Sequence, residues 1–260
     1  MSADFEVHHF TYGPLTPALA YGLSVLGSFL GLHFTTRALA AAERRERIWW
    51  LVGGSIALGG TAIWVMHFVG MLGFSVSGAS LAYEVPLTLF SALLAVVFVG
   101  AGLFLVGFGM PVPLGGLLAG AGVVAMHYTG MAAMNVGAET SYDPLLVAAS
   151  VVIALAAATA AFFFATRVKG WLSTLGAALV MGVAVSGMHY TGMFALNVHA
   201  TAPGPVDGAD PVHLLVPLTG IVSVVTAVLC GFVGGSAGPG ERRREAEFVE
   251  GLERELGTGY

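Results

Sequence analysis

Residues 126–131 read Met126-His127-Tyr128-Thr129-Gly130-Met131 and lie inside a long apolar stretch. Residues 188–193 repeat the pattern as Met188-His189-Tyr190-Thr191-Gly192-Met193, and residues 66–71 give the variant Met66-His67-Phe68-Val69-Gly70-Met71. Below, these stretches are motif two, motif three and motif one. A thioether, an imidazole and a second thioether recur in fixed order at a period near sixty residues, which indicates an internal repeat that carries chemistry.

The composition around the motifs is that of a membrane protein. Hydrophobic residues make up 57% of the chain and charged residues only 10%, with a mean hydropathy of +0.85. Soluble domains carry about 25% charged residues. The single cysteine, Cys230, excludes a disulfide framework and a paired-cysteine metal site.

Seven apolar segments are long enough to cross about 30 Å of hydrocarbon as helices. Turn-forming residues separate them, notably Pro111, Pro113 and the pair Asp143-Pro144. The sequence therefore predicts an all-α integral membrane fold with transmembrane helices over 15–40, 48–74, 85–107, 112–134, 144–166, 171–196 and 212–233. The domain division expected is an external segment 1–14, a membrane domain 15–233 and a cytoplasmic tail 234–260. Phe248, Leu252 and Leu256 would give that tail one apolar helical face.

The basic residues fall on one side of this predicted topology: Arg37, Arg44, Arg45, Arg47, Arg167, Lys169, Arg242, Arg243, Arg244 and Arg254. The loops on the other side carry only acids. Because basic loops stay in the cytoplasm, we expect an external N-terminus and a cytoplasmic C-terminus in a cell membrane. An odd number of spans agrees with this orientation.

The three motifs lie on the second, fourth and sixth spans. The chain therefore divides into three two-helix repeats of the same orientation, plus a seventh helix. In each repeat the histidine would lie six to ten residues before the outer boundary, about 10–15 Å deep. If the repeats pack around a threefold axis, the imidazoles converge at one depth. The sequence leaves open whether they form one shared site or three local ones.

The motif side chains are candidate metal ligands. His67, His127 and His189 share a helical face with the methionines four residues later, Met71, Met131 and Met193. The first methionines, Met66, Met126 and Met188, are rotated by about 100°. Imidazole with thioether suits copper, and above all Cu(I), whereas hard ions require oxygen. Groups that could orient the ligands by hydrogen bonds are Tyr128, Tyr190, Asn135 and Asn197.

The alternative for each histidine is a hydrogen bond between packed helices, and methionine is common packing material. Polar side chains at membrane depth are costly and usually functional, so three copies in register favour a site. Four more histidines, His8, His9, His199 and His213, lie on the outer side, where they could collect metal or be solvated.

The motifs and the seven-span topology resemble the MHYT domain, a bacterial membrane sensor module named for Met-His-Tyr-Thr. Motifs two and three match all four letters, and motif one keeps only Met66-His67. The resemblance covers residues 15–233. It implies copper held by the motif residues, sensing of oxygen, carbon monoxide or nitric oxide, and signalling inward. Many members carry cyclase, phosphodiesterase or kinase domains after the membrane domain, and the residues after the seventh span are too few for one.

Other functional classes are disfavoured by what the spans lack. No span interior holds a lysine or a carboxylate, which argues against a retinal protein, a proton-coupled transporter and an intramembrane hydrolase. We therefore expect a sensor that is not an enzyme and contains copper. Its partners would be the lipid bilayer, a diatomic gas, and a cytoplasmic signalling protein or a second copy, with no nucleic acid. A copper carrier is the main alternative, and a membrane metalloenzyme a weaker one.

Overall fold

The structure is a computed structural model that describes residues 6–199 and 206–235, with side chains through residue 232. Seven helices in these ranges are long and apolar enough to cross a membrane. They are α1 Leu15–Ala40, α2 Arg44–Met71, α3 Val85–Gly107, α4 Val112–Ala132, α5 Pro144–Arg167, α6 Trp171–Phe194 and α7 Pro211–Gly235. The prediction of seven apolar spans in a multi-pass membrane protein is confirmed.

The all-α membrane architecture is confirmed, with short strands added at one end of the helices, which is called the outer end below after its predicted orientation. Six such strands lie there among the described residues: β1 Val7–His8, β2 Ser75–Val76, β3 Leu81–Tyr83, β4 Met134–Val136, β5 Glu139–Tyr142 and β6 Leu196–His199. As a result α2, α4 and α6 end two or three residues before the predicted boundaries at 74, 134 and 196. The chain leaves the helix sooner because its backbone groups find partners in a strand pair.

The strands make the internal repeat more complete than the sequence indicated. In each repeat the strand before the first helix pairs antiparallel with the strand after the second: β1 with β2, β3 with β4, and β5 with β6. The repeating unit is therefore strand–helix–helix–strand. A bridge between Tyr83 and Ala209 attaches the start of α7 to the second unit.

Acidic residues of the outer loops begin two of the helices. One Asp143 side-chain oxygen accepts hydrogen bonds from the backbone N–H groups of Leu145 and Leu146, at 2.8 and 3.1 Å. Asp210 does the same for Val212 and His213 at the start of α7. These groups would otherwise be unpaired donors, which is why aspartate is favoured at this position.

The second helix forms the centre of the bundle. In its most apolar window 78% of the residues are buried, against 11% in α7. Residues Ile56–Val65 form a π-helical stretch whose wider turns lead directly into motif one. A methyl group at Gly27 of α1 would overlap the backbone of Ala62, so only glycine allows this close approach of two helices. Thr61 is hydrogen-bonded to Thr226 of α7, with 2.6 Å between hydroxyl oxygens.

The described basic residues gather at the end of the bundle opposite the strands. The guanidinium groups of Arg44 and Arg47 lie 5.8 and 5.9 Å from the ring centre of Phe108, which joins α3 to α4, and Arg37 lies over Trp50. The structure thus separates a basic end from an end that carries the strands. Which end faces the cytoplasm stays a prediction, and the amphipathic segment around Phe248 lies outside the described residues.

Candidate metal centre

The three motif histidines meet in one cluster on the last turns of α2, α4 and α6. One ring nitrogen from each histidine lies within 4.8 Å of those from the other two, and all three residues are buried. The Nδ1 of His67 is 3.0 Å from that of His189 and 3.2 Å from that of His127. The sequence left open one shared site or three; the structure brings the imidazoles together as one.

The histidines lie nearer the ends of their helices than predicted. Each is four or five residues before its helix end, about 6–8 Å of helix, against the six to ten residues expected. Their depth in a membrane stays a prediction. The difference follows from the early helix ends, because the outer strands replace the last predicted turn.

A ring of glycines fixes the direction of each imidazole. The Nε2 of His67 lies against Gly130 of α4, that of His127 against Gly192 of α6, and that of His189 against Gly70 of α2. A methyl group at Gly130 would lie 2.5 Å from His67 Nε2, and at the other two glycines the overlap would be greater. Each repeat therefore inserts its histidine beside the glycine of the next, and the three contacts close a circle.

This arrangement explains the spacing within the motif. The glycine follows its own histidine by three residues, so it lies on the same helical face, where the neighbouring imidazole arrives. The missing side chain of each glycine leaves room for the imidazole of a neighbouring repeat.

The hydrogen-bonding capacity of the cluster is only partly used within the protein. A contact between two Nδ1 atoms needs a proton on one nitrogen and a lone pair on the other. One proton on His67 can serve both contacts. The three Nε2 atoms are buried and have no hydrogen-bond partner among the described residues. Unpaired buried polar atoms are costly, so this convergence requires an explanation beyond packing.

The distances between the Nδ1 atoms suit a shared metal ion. Two imidazole nitrogens that lie about 2.0–2.1 Å from one metal, at trigonal or tetrahedral angles, are about 3.3–3.6 Å apart. The separations of 3.0 and 3.2 Å are a few tenths of an ångström shorter, so a small outward rotation of the rings would reach this geometry. The side chains present therefore fit an ion held by three nitrogens.

The motif methionines are all buried, with at most 2% of each residue exposed: Met66, Met71, Met126, Met131, Met188 and Met193. Their part in metal binding stays a prediction. Met188 also lines the cavity that lies inward of the histidines.

Three of the four predicted orienting residues have partners elsewhere. The Tyr128 hydroxyl is hydrogen-bonded to Ser150 of α5 at 2.7 Å, whereas the Tyr190 hydroxyl is buried with no hydrogen-bond partner among the described residues. Asn135 donates to the Asp207 carbonyl and Asn197 to the Ala195 carbonyl. Both asparagines lie on outer strands, because the helices end before them. Among the described contacts none of the four is hydrogen-bonded to a motif imidazole.

Inward of the histidines lies an apolar cavity of about 40 Å³. Ile63, Val123 and Val185 each precede a motif histidine by four residues, and all three line this cavity. Half of the other lining residues are alanine, and the remainder are Leu58, Val99, Phe162, Met181, Met188 and the hydroxyl-bearing Ser28. Along these three helices, the side chains that face one another thus change from imidazole to hydrocarbon within about one turn.

Outward of the cluster the chain before α1 forms a cover. The His9 ring packs against Phe194 and Phe74, with ring centres 4.6 and 5.6 Å apart. Partial burial lowers the pKa of His9, so its imidazole is neutral near pH 7. No feature of the sequence distinguishes His9 from the other outer histidines.

The motifs and their geometry agree with a known family. The family described as MHYT, "Bacterial signalling protein N terminal repeat", matches residues 60–117 and 120–178. The chain belongs to the MHYT family. The two matched repeats contain motifs one and two of this MHYT protein. Motif three lies beyond residue 178, and the structure joins its histidine to the same cluster.

Curated relatives of this MHYT chain are signalling proteins. It is 43% identical over 194 residues to the bifunctional diguanylate cyclase/cyclic di-GMP phosphodiesterase MucR of Pseudomonas aeruginosa, covering 71% of this chain and 28% of MucR. It is 34% identical over 259 residues to the cyclic di-GMP phosphodiesterase NbdA of the same organism, covering 95% and 32%. The signaling protein YkoW of Bacillus subtilis is 29% identical over 237 residues, covering 85% and 29%.

These comparisons establish a membrane module of signalling proteins. The MHYT chain spans less than a third of the length of each of these three relatives, so their activities do not transfer to it directly. No solved structure matches the chain.

Proposed function

We propose that this protein is a membrane sensor that binds one copper ion between His67, His127 and His189 and signals to a cytoplasmic partner. The observation that carries the proposal is the convergence of three buried Nδ1 atoms at 3.0 and 3.2 Å. Bound copper would accept three lone pairs at once and would relieve the crowding of like nitrogens.

The donor set favours copper over other metals. Imidazole nitrogens alone suit zinc, copper, iron and nickel about equally well. The cluster contains no carboxylate or thiolate, whereas six buried thioethers belong to the same three motifs. Soft thioethers select Cu(I), so the second methionines Met71, Met131 and Met193 are proposed as additional ligands.

The stimulus is proposed to be a diatomic gas, namely oxygen, carbon monoxide or nitric oxide, or copper itself. The family resemblance supports this proposal. In the orientation that the basic residues indicate, the cluster lies near the outer face of the cell membrane and the basic end faces the cytoplasm. We further propose that the chain performs no enzymatic reaction and that its partner, or a second copy, carries the response.

The test is the metal content of the purified protein. The protein in mild detergent is loaded with Cu(I), washed, and analysed by mass spectrometry beside the variant H67A/H127A/H189A. We expect one copper per chain in the first and none in the second. Unchanged copper in the triple variant would show that the ion binds elsewhere. CO uptake by the copper-loaded protein, measured by infrared absorption, then tests the gas-sensing part separately.

A copper carrier is the second candidate, and one observation favours it. Met181 and Met188 of α6 line the cavity inward of the histidines, so two thioethers continue the axis. The remaining lining is almost entirely hydrocarbon, which would oppose passage of an ion. Copper flux into sealed vesicles separates the two functions: a sensor gives no flux above that of empty vesicles, and a carrier gives flux that the triple variant loses.

A further inference from the structure

The segment before α1 is fixed across the outer end of α2. Strand β1 pairs with β2, and the Ser77 N–H donates to the Glu6 carbonyl at 2.9 Å. Beyond His9, the Thr11 N–H donates to the Gly73 carbonyl at 2.9 Å, and the Thr11 hydroxyl is 2.7 Å from that of Ser75. Because hydrogen bonds hold the chain on both sides of His9, its side chain has a defined position over the bundle.

His9 differs from the other outer histidines in its partners. His8 is hydrogen-bonded to Ser77 at 3.0 Å, His199 to Ser141 at 2.7 Å, and His213 lies 3.5 Å from an Asp210 oxygen. All three of these contacts are at the exposed surface. The Nδ1 of His9 is buried and has no hydrogen-bond partner among the described residues. Of these four outer histidines, His9 is the one with a buried ring nitrogen that has no hydrogen-bond partner among the described residues.

Aromatic rings connect His9 to the cluster. Its neighbour Phe10 packs against Tyr190 with 5.5 Å between ring centres, and Tyr190 directly follows the cluster residue His189. His9 also contacts Phe194, the last residue of α6. His9 is partly exposed and packs on the end of α6, the helix that carries His189.

We propose that His9 is the loading ligand of the copper site: it binds Cu(I) from the outer side first and passes it to His189. The proposal rests on the copper site proposed above. A bare ion would pay a large desolvation cost on entering this apolar end, and a nitrogen on the route reduces that cost. The transfer is a ligand exchange in which one Cu–N bond forms at His189 as the one at His9 breaks, with no change in oxidation state.

The test is the rate of copper uptake. Copper-free protein in detergent is mixed with Cu(I) held by a coloured chelator, and loss of the chelate colour reports loading. We expect His9→Phe, which keeps the ring packing but removes the nitrogen, to slow loading about tenfold or more, since the ion then enters without a ligand. His9→Met, which restores a Cu(I) ligand, should recover most of the rate.

His8→Ala is the matched control, because His8 is adjacent and already bonded to Ser77. It should load at the wild-type rate, and all variants should hold the same copper per chain at equilibrium. Wild-type loading by His9→Phe, or equal slowing by His8→Ala, would overturn the assignment. Loss of equilibrium copper in His9→Phe would also overturn it, since His9 would then be a permanent ligand. Failure of the copper site itself shows separately, as wild-type protein that takes up no copper.

Discussion

The outer and inner halves of the bundle place different side chains between the same three helices. On the outer side, three imidazoles meet on the bundle axis and each lies against the glycine of the next repeat. One turn further in, the same three helices present Ile63, Val123 and Val185 to an apolar cavity of about 40 Å³.

This contrast indicates where the chemistry belongs. Buried polar groups persist where something compensates their desolvation, and hydrocarbon fills the remaining space. The inner half has little that could compensate an ion, so a metal held by the histidines has no evident inward route. The difference between the halves favours a sensor that retains its ion.

Removal of His67 should have the largest effect on the outer half. Its Nδ1 makes both short contacts of the cluster, so His67→Ala leaves the other two imidazoles without their common neighbour. We expect copper affinity to fall by more than about 100-fold, beyond the usual cost of losing a group that only orients a ligand. Competition with a Cu(I) chelator measures it. The control is His33→Ala, in the half of α1 near the basic end, where His33 accepts a hydrogen bond from Arg37. This variant should retain copper, and equal losses in both variants would contradict the assignment.

A methyl group at one of the three contact glycines should have the next largest effect on copper affinity. In Gly192→Ala the new methyl group overlaps His127 Nε2, so the imidazole must rotate away from the axis. We expect a loss of about 10- to 100-fold in copper affinity, comparable to that of disturbing a ligand's support.

Gly187→Ala provides the matched comparison on the same helix. Nothing lies within 4 Å of a methyl group at Gly187, so its copper affinity should not change. Equal affinities in the two variants would show that the ring of glycines does not position the imidazoles.

The methionines should contribute less than the histidines. Met193→Leu conserves volume in the buried site but replaces the thioether, and we expect about a tenfold loss of Cu(I) affinity with stability changed by less than about 1.5 kcal/mol. Met181→Leu, in the inner cavity on the same helix, should leave affinity unchanged. If Met193→Leu binds copper as wild type does, the thioether is packing material and the three nitrogens suffice.

The smallest effect is expected where α5 begins, beside the outer strands. It tests whether the outer strands and helix starts contribute to stability independently of the histidine cluster. Asp143→Ala removes the side chain that accepts two hydrogen bonds at the start of α5. We expect a loss of about 1 kcal/mol in stability, measured by thermal unfolding in detergent, with copper content unchanged. Glu84→Ala, at the start of α3 where the side chain makes no capping hydrogen bond, is the comparison and should change stability less. Copper loss in Asp143→Ala would mean that the frame and the cluster form one cooperative unit.

Much of the architecture was predictable from the sequence because it rests on local chemistry. Apolar length gives seven spans, and the repeated motifs identify His67, His127 and His189 as candidates. The six strands were not predictable, because each is two to four residues long and pairs with a strand more than fifty residues away along the chain. Without these strands the predicted helices extend too far. Asn135 and Asn197 were therefore expected beside the site, whereas they lie on the outer strands.

The sequence by itself determined the spans, the threefold repeat and the residue types of the site, since hydropathy and spacing are properties of the chain alone. Only the tertiary structure decided that the imidazoles share one site, that Gly70, Gly130 and Gly192 receive their rings, and that His9 is set apart from His8. These features depend on contacts between different repeats, and the distance between two helices follows from how they pack, which no single repeat encodes.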